Sequence, residues 1–401
     1  MRVLQVNSVY GTGSTGVLTR TLHHGLMERG HESLVLYGRG PEAQDSNVIR
    51  VCSDTYARAN KAWSMLSGYA YGGCEASTKK VIQYIRDFGP DVVHLQCINE
   101  HFINIYRLLD WLAQAKLPTL ITLHADFMFT ANCGSALGCE GWKGGCENCP
   151  DFRRATGSLV LGRTRASFNR MLAAYQKFDE RLSIVAVSPW LARRAEQSPM
   201  FAGRGVTTIL NGVDCGIFTP SDDESGEGRP YLLHVTSHFT DKDDALKGGR
   251  YIIDLADRLS DLPLEIVVAG KSEVEASRLP NNVRILGPVS DAAELARLYS
   301  GATATLLTSN QETFSLPCAE SLCCGTPVVG FEAGGPESIA LPEANVFVRY
   351  GDLDALEAAT RCFIGKSCPS RRQLAAHAAR VYSITRMIDE YVREYRRVAC
   401  L

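Results

Sequence analysis

The residues best placed to do chemistry lie between Ser309 and Val329, where Glu312 and Glu320 are separated by seven residues that include Phe314, Ser315, Leu316 and Pro317. Pro317 suits the first turn of a helix and Gly325 its end, so the stretch is expected to run strand, loop, short helix, strand. Glu312 then falls in the loop at a strand's carboxyl end, and Glu320 about two turns down the helix. A carboxylate accepts two hydroxyls at once, which suits the vicinal diols of ribose and hexose. The free N–H groups of Phe314, Ser315 and Leu316 would meet a phosphate. A ligand with sugar at both ends and phosphate between is a nucleotide sugar. Two solvated glutamates beside a helix are the plain alternative.

Two further constellations carry chemistry. Gly11-Thr12-Gly13-Ser14-Thr15-Gly16 directly follows the first strand pattern and satisfies the dinucleotide fingerprint G-x-G-x-x-G letter for letter. The end of the second strand, Tyr37-Gly38-Arg39-Gly40, lacks the acidic residue that would hold an adenosine ribose, which leaves NADP through Arg39 as the weaker option. Cys133, Cys139, Cys146 and Cys149 crowd a glycine-rich stretch whose thiolates could wrap one zinc ion or an iron–sulfur cluster, with disulfides or mere proximity as alternatives. Asp241-Lys242-Asp243 has the letters of a metal-binding pair but sits in a polar loop.

The elements that must position these groups alternate between short Val-, Leu- and Ile-rich runs and longer amphipathic stretches, as buried parallel strands and crossover helices do. Strands are expected at Arg2 to Asn7, Ser33 to Tyr37, Val92 to Gln96, Thr119 to His124 and Ile184 to Val187 in the first half. In the second half they are expected at Tyr231 to Thr236, Leu264 to Ala269, Val283 to Leu286, Thr303 to Thr308, Pro327 to Phe331 and Val346 to Val348. At 401 residues the chain exceeds the usual size of one core. The fold class is therefore α/β, with two doubly wound Rossmann-like domains facing across a cleft lined by strand ends. Domain limits are placed at 1–205 and 206–380, with a polar linker near Pro220 to Pro230 and a terminal helix in 381–401, periodic from Ile384 to Val398.

Residues 1–200 hold 22 basic and 17 acidic side chains, against 20 and 27 in the rest. The stretch Phe152 to Phe178 has Arg153, Arg154, Arg163, Arg165, Arg170 and Lys177 and no acid, which suits either water or an anionic lipid surface. The aromatic stretch Trp63 to Tyr71 suits a glycan, a lipid tail or a core. No run reaches the length of a membrane span and no leader precedes the first strand, so a cytoplasmic protein is expected, at most resting on the inner face of the membrane. Fourteen scattered cysteines fit a reducing compartment.

The pattern Glu312, seven residues, Glu320, with Gly325-Thr326-Pro327-Val328-Val329 behind it, resembles the signature of family-4 retaining glycosyltransferases of the GT-B fold. Gly334-Gly335-Pro336-Glu337 resembles the family's following glycine loop, and Asn211-Gly212-Val213-Asp214 its interdomain turn. Thr122-Leu123-His124-Ala125-Asp126, Phe129-Thr130 and Cys149-Pro150 look like colanic-acid-type exopolysaccharide glycosyltransferases. The resemblance implies Glu320 on the ribose, Glu312 on a donor-sugar hydroxyl, Lys247 on phosphate and His124 reaching the donor sugar from the other domain. The family also carries a glycine loop where Gly13 and Gly16 stand. It usually has an arginine shortly before the lysine; this chain has none there, and Lys242, Arg250 and Lys271 are the substitutes.

The activity so implied is transfer of a hexosyl residue from a nucleoside diphosphate sugar to a glycan or lipid-linked glycan, with retention by front-face attack and without a catalytic divalent metal. The competing classes are an NAD(P)-dependent oxidoreductase built on the glycine loop and a non-catalytic nucleotide- or metal-binding protein. No nucleic-acid partner is expected.

Overall fold

The computed structural model describes residues 1–221, 229–242, 246–364 and 370–400. Asp243 and most of the expected linker lie outside them. The chain divides into two compact units, Met1–Leu210 with Ile388–Leu401, and Asn211–Met387.

The first unit is a seven-stranded parallel sheet: β1 (Arg2–Asn7), β2 (Glu32–Tyr37), β3 (Val48–Arg50), β4 (Val92–Leu95), β5 (Thr119–Leu123), β6 (Leu182–Ala186) and β7 (Val206–Thr208), in the order β3-β2-β1-β4-β5-β6-β7. Its inner strands are buried along nearly their whole length, as at Val92-Val93-His94-Leu95, because crossover helices cover both faces. The edge strands β3 and β7 were not legible in the sequence. Each has three residues and only partial burial, too short a run to stand out from loop.

The second unit has six parallel strands: β8 (Tyr231–Phe239), β9 (Glu265–Ser272), β10 (Val283–Gly287), β11 (Ala304–Leu307), β12 (Val328–Phe331) and β13 (Asn345–Val348), ordered β10-β9-β8-β11-β12-β13. Leu232, Ile266, Val268, Leu306 and Val329 pack against Ile252, Leu255 and Leu356 from the covering helices. In both sheets the order reverses beside the first strand of the unit, at β1/β4 and at β8/β11. Loops at the carboxyl ends of those pairs diverge and leave a crevice for ligands.

The last helix runs Ile384–Val398. Its Tyr395 hydroxyl lies 2.7 Å from Nδ1 of His94 on β4, and its Tyr391 hydroxyl 3.0 Å from Thr122 Oγ1 on β5, so this end of the chain is fastened to the first sheet by buried polar contacts. No helix among the described residues is long and apolar enough to cross a membrane.

Candidate active site

In the second unit, Lys247 follows β8 and Glu312 follows β11, so neighbouring strands bring them together at the switch point. Lys247 Nζ lies 2.5 Å from Glu312 Oε1, and Ser309 Oγ donates to the same oxygen at 2.8 Å. The lysine is kept in place from behind: Thr308 Oγ1 donates to its carbonyl at 3.1 Å. Gly248 next to it is left-handed (φ 62°), and a Cβ there would lie 2.0 Å from Thr308 O. Only glycine lets the Lys247 turn come so close to the end of β11.

The backbone of Glu312 is clamped by the glycine loop. Its N–H donates to Ala333 O at 2.9 Å, and Gly335 N–H donates to its carbonyl at 2.8 Å. Glu337 accepts from Ala333 N at 3.0 Å and Gly334 N at 2.6 Å, which makes it the brace of that loop.

Ser315, with φ 81°, starts the helix Leu316–Cys323, and no side chain caps that helix end. The N–H groups of its first turn therefore have no partner within the helix and offer an anion-binding end near Phe314, Ser315 and Leu316. Glu320 sits in the middle of the helix and accepts from the Tyr299 hydroxyl at 3.1 Å. Burial pushes its carboxyl up to about 7, with the Tyr299 hydrogen bond opposing. The two glutamates thus have different partners, Lys247 for one and Tyr299 for the other.

Of the substitutes for the absent arginine, Lys242 lies 3.9 Å from Glu273, Arg250 lies 3.5 Å from Asp254, and Lys271 on β9 stands in register with His238 on β8.

In the first unit, Gly13 (φ 63°) opens the helix Gly13–Glu28, and Gly11 N–H donates to Gly16 O at 2.9 Å, closing the loop on itself. His124 follows β5, and burial lowers its imidazole to about 4. Its Nε2 lies 3.3 Å from Gln96 Oε1, beyond the end of β4. Ser309, Tyr299 and Gln96 were not singled out from sequence. Each is an ordinary polar residue whose value comes from the neighbour that the fold gives it.

The four-cysteine stretch carries neither a disulfide nor a group of metal ligands among the described residues. Cys133, Cys139, Cys146 and Cys149 are all free thiols, and among the described residues no three His, Cys, Asp or Glu side chains converge as metal ligands. Cys146, left-handed at φ 57°, turns its sulfur toward Thr130 O at 3.6 Å. Burial is the main cause that holds Cys133 and Cys146 up to about 12, in the protonated state.

Residues 15–216 match the family model described as Glycosyltransferase Family 4. The chain belongs to that family. Residues 238–381 match a second model, Glycosyl transferases group 1, so both halves carry the signal of one enzyme class. A putative colanic acid biosynthesis glycosyl transferase of Escherichia coli (strain K12) is 22% identical over 99% of this chain and 100% of its own length. A D-inositol 3-phosphate glycosyltransferase of Thermobifida fusca (strain YX) is 31% identical over 32% of this chain and 35% of its own. Among solved structures, a sucrose-phosphate synthase from Thermosynechococcus elongatus superposes with a TM-score of 0.68 at 16% identity, covering 100% of this chain and 99% of that one. Anabaena Alr3699/HepE, solved in complex with UDP-glucose, gives 0.63 at 15% identity, covering 98% and 100%. The architecture is therefore GT-B and the protein is a glycosyltransferase. Nothing supports the oxidoreductase alternative.

Proposed function

We propose that this family-4 enzyme transfers a hexosyl residue from a nucleoside diphosphate sugar to a glycan or lipid-linked glycan in polysaccharide biosynthesis, with retention of anomeric configuration. The observation that carries the proposal is the Lys247–Glu312 pair at 2.5 Å at the β8/β11 switch point, where an anionic ligand has a cation and a sugar has a carboxylate within one reach. The full-length similarity to a putative colanic acid enzyme favours a polysaccharide product, and the nucleotide ligands of GT-B neighbours favour the donor class.

In this proposal Glu320 holds the ribose diol and Glu312 a hexose hydroxyl. The diphosphate lies between the uncapped start of Leu316–Cys323 and Lys247. As the sugar–phosphate bond breaks, negative charge grows on the leaving diphosphate. Lys247 and the helix N–H groups stabilise it more in the transition state than in the bound donor, which lowers the barrier. His124 is neutral at working pH and acts by hydrogen bonding to the donor sugar, not as a cation. The departing phosphate oxygen takes the acceptor's hydroxyl proton.

The test is a mass-spectrometric screen of nucleotide sugars for hydrolysis and transfer, run on wild type and Glu320→Ala. Turnover of a nucleoside diphosphate hexose by the wild type, lost in the variant, is expected. No turnover of any donor would favour a binding protein on this scaffold.

A further inference from the structure

Five large apolar side chains stand exposed at one place on the first unit. Trp63 (46% exposed) and Leu66 (67%) lie one turn apart on the helix Asp54–Ser67, and Leu159 (62%), Val160 (65%) and Leu161 (43%) follow in a loop. That loop is built against the helix end. Ser158 Oγ donates to Met65 O at 2.8 Å and Leu159 N–H to the same carbonyl at 3.3 Å. Gly68 ends the helix at φ 67°, and a Cβ there would lie 2.1 Å from Leu161 O. The loop is therefore held with its apolar side chains outward, although burying any of them would be favourable. A set of neighbouring exposed apolar residues of this size marks an interaction surface.

Charge selects the occupant. Between Thr55 and Cys74, and again between Phe152 and Phe178, there is no Asp or Glu, while Arg58, Lys61, Arg153, Arg154, Arg163, Arg165, Arg170 and Lys177 are present. Arg154, Arg165 and Lys177 pair with Asp151, Glu147 and Asp110. Arg170 lies over the rings of Tyr69 and Tyr106. Arg58, Lys61, Arg153 and Arg163 are exposed and have no ion pair among the described residues. Beside Leu161, Gly162 and Arg163 line an open recess of about 720 Å³ together with Arg165 and Asn169.

We infer that Trp63, Leu66 and Leu159 to Leu161, flanked by the exposed cations Arg153 and Arg163 that bracket the loop, form the surface by which the protein rests on an anionic lipid bilayer. Trp and Leu enter the headgroup boundary, and unpaired cations meet the lipid phosphates around them. This inference is independent of the donor-site assignment.

The test is flotation of the full chain with vesicles of phosphatidylcholine alone and of phosphatidylcholine mixed with phosphatidylglycerol. Wild type is expected to float with the anionic vesicles only, to shift Trp emission to the blue, and to lose binding as salt is raised. R153E/R163E and L159D/L161D are each expected to lower the bound fraction about tenfold, while keeping the wild-type thermal melt and donor hydrolysis. Equal binding to neutral vesicles, no binding to anionic ones, or undiminished binding by the folded variants would overturn the inference. A concentration-dependent dimer that L159D/L161D dissolves, without lipid binding by wild type, would also overturn it and assign the face to a second copy of the chain.

Discussion

Nε2 of His124 faces Oε1 of Gln96 across 3.3 Å, and the direction of that hydrogen bond follows from what lies behind it. Gln96 Nε2 donates to Gln5 Oε1 at 2.7 Å, so its oxygen is left for the imidazole, which must donate. Gln5 Nε2 reaches Ser33 Oγ at 3.5 Å; Ser33 Oγ and His23 Nδ1 are 2.8 Å apart; His23 Nε2 meets Ser46 O at 3.1 Å. Each group in this buried row donates to the next, which fixes the proton of His124 on Nε2. Gln96→Leu would remove the acceptor facing His124 Nε2 and the donor facing Gln5 Oε1, at about 1–3 kcal/mol each. A lowered melting temperature is expected, together with a fall in kcat while nucleotide affinity stays. His124→Ala is expected to reduce transfer about a hundredfold with little change in nucleotide Kd. Equal losses in kcat and Kd would remove His124 from the reacting end of the donor.

The Lys247–Glu312 pair makes a separable prediction. Lys247→Ala removes the cation proposed to face the diphosphate, so the Kd for a nucleoside diphosphate should rise about tenfold or more, while the nucleoside alone binds as before. Glu312→Gln keeps the size of the side chain but weakens its acceptor, and should lower kcat for the nucleotide sugar more than it changes affinity for the free nucleotide. Calorimetry on the three ligands separates the two. Identical effects of both substitutions on the nucleoside would mean that the pair is only structural.

Much of this was legible because a parallel sheet writes itself as apolar runs. All eleven strands expected from such runs are present, and the helix Ile384–Val398 follows from its apolar spacing at Met387, Ile388, Tyr391 and Tyr395. What the sequence could not show was pairing in space. Ser309 becomes the partner of Glu312 only through a turn after β11, and Tyr299 meets Glu320 from another helix. For the cysteine stretch, spacing gives how many thiols are near one another, while the left-handed backbone at Cys146 sets where that sulfur points.

Burial lowers the imidazoles of His23, His94, His101, His124 and His234, the last three to about 4, so neutral rings sit in the fold. In the unfolded chain they take up protons near 6.5. Between that value and the folded one the unfolded state binds more protons, so stability must fall as pH drops through about 6.5 toward 4. Melting temperatures at successive pH values should decline already between pH 7 and 5, above the range where ordinary carboxylates titrate. His94→Gln should flatten part of that decline, and an unchanged slope would assign the acid sensitivity elsewhere.

Glu320 titrates in the opposite sense. Its folded carboxyl, near 7, lies above the unfolded value, so between the two the folded state binds more protons. Its contribution to stability is most favourable below the unfolded value and declines as pH rises through about 7. Glu320→Gln carries no charge to bury and should melt higher than wild type at pH 8, but alike at pH 4. Donor binding runs against this. Two ribose hydroxyls need an ionised acceptor, so affinity for a nucleotide sugar should climb as pH rises from 6 to 8 and then level. A nucleotide sugar is the right probe, because its diphosphate diester does not titrate in that range, whereas the terminal phosphate of a free nucleotide does. In Glu320→Gln the affinity should be lower throughout and independent of pH. If the variant keeps the wild-type pH profile, the titrating group is another residue and Glu320 does not hold the ribose.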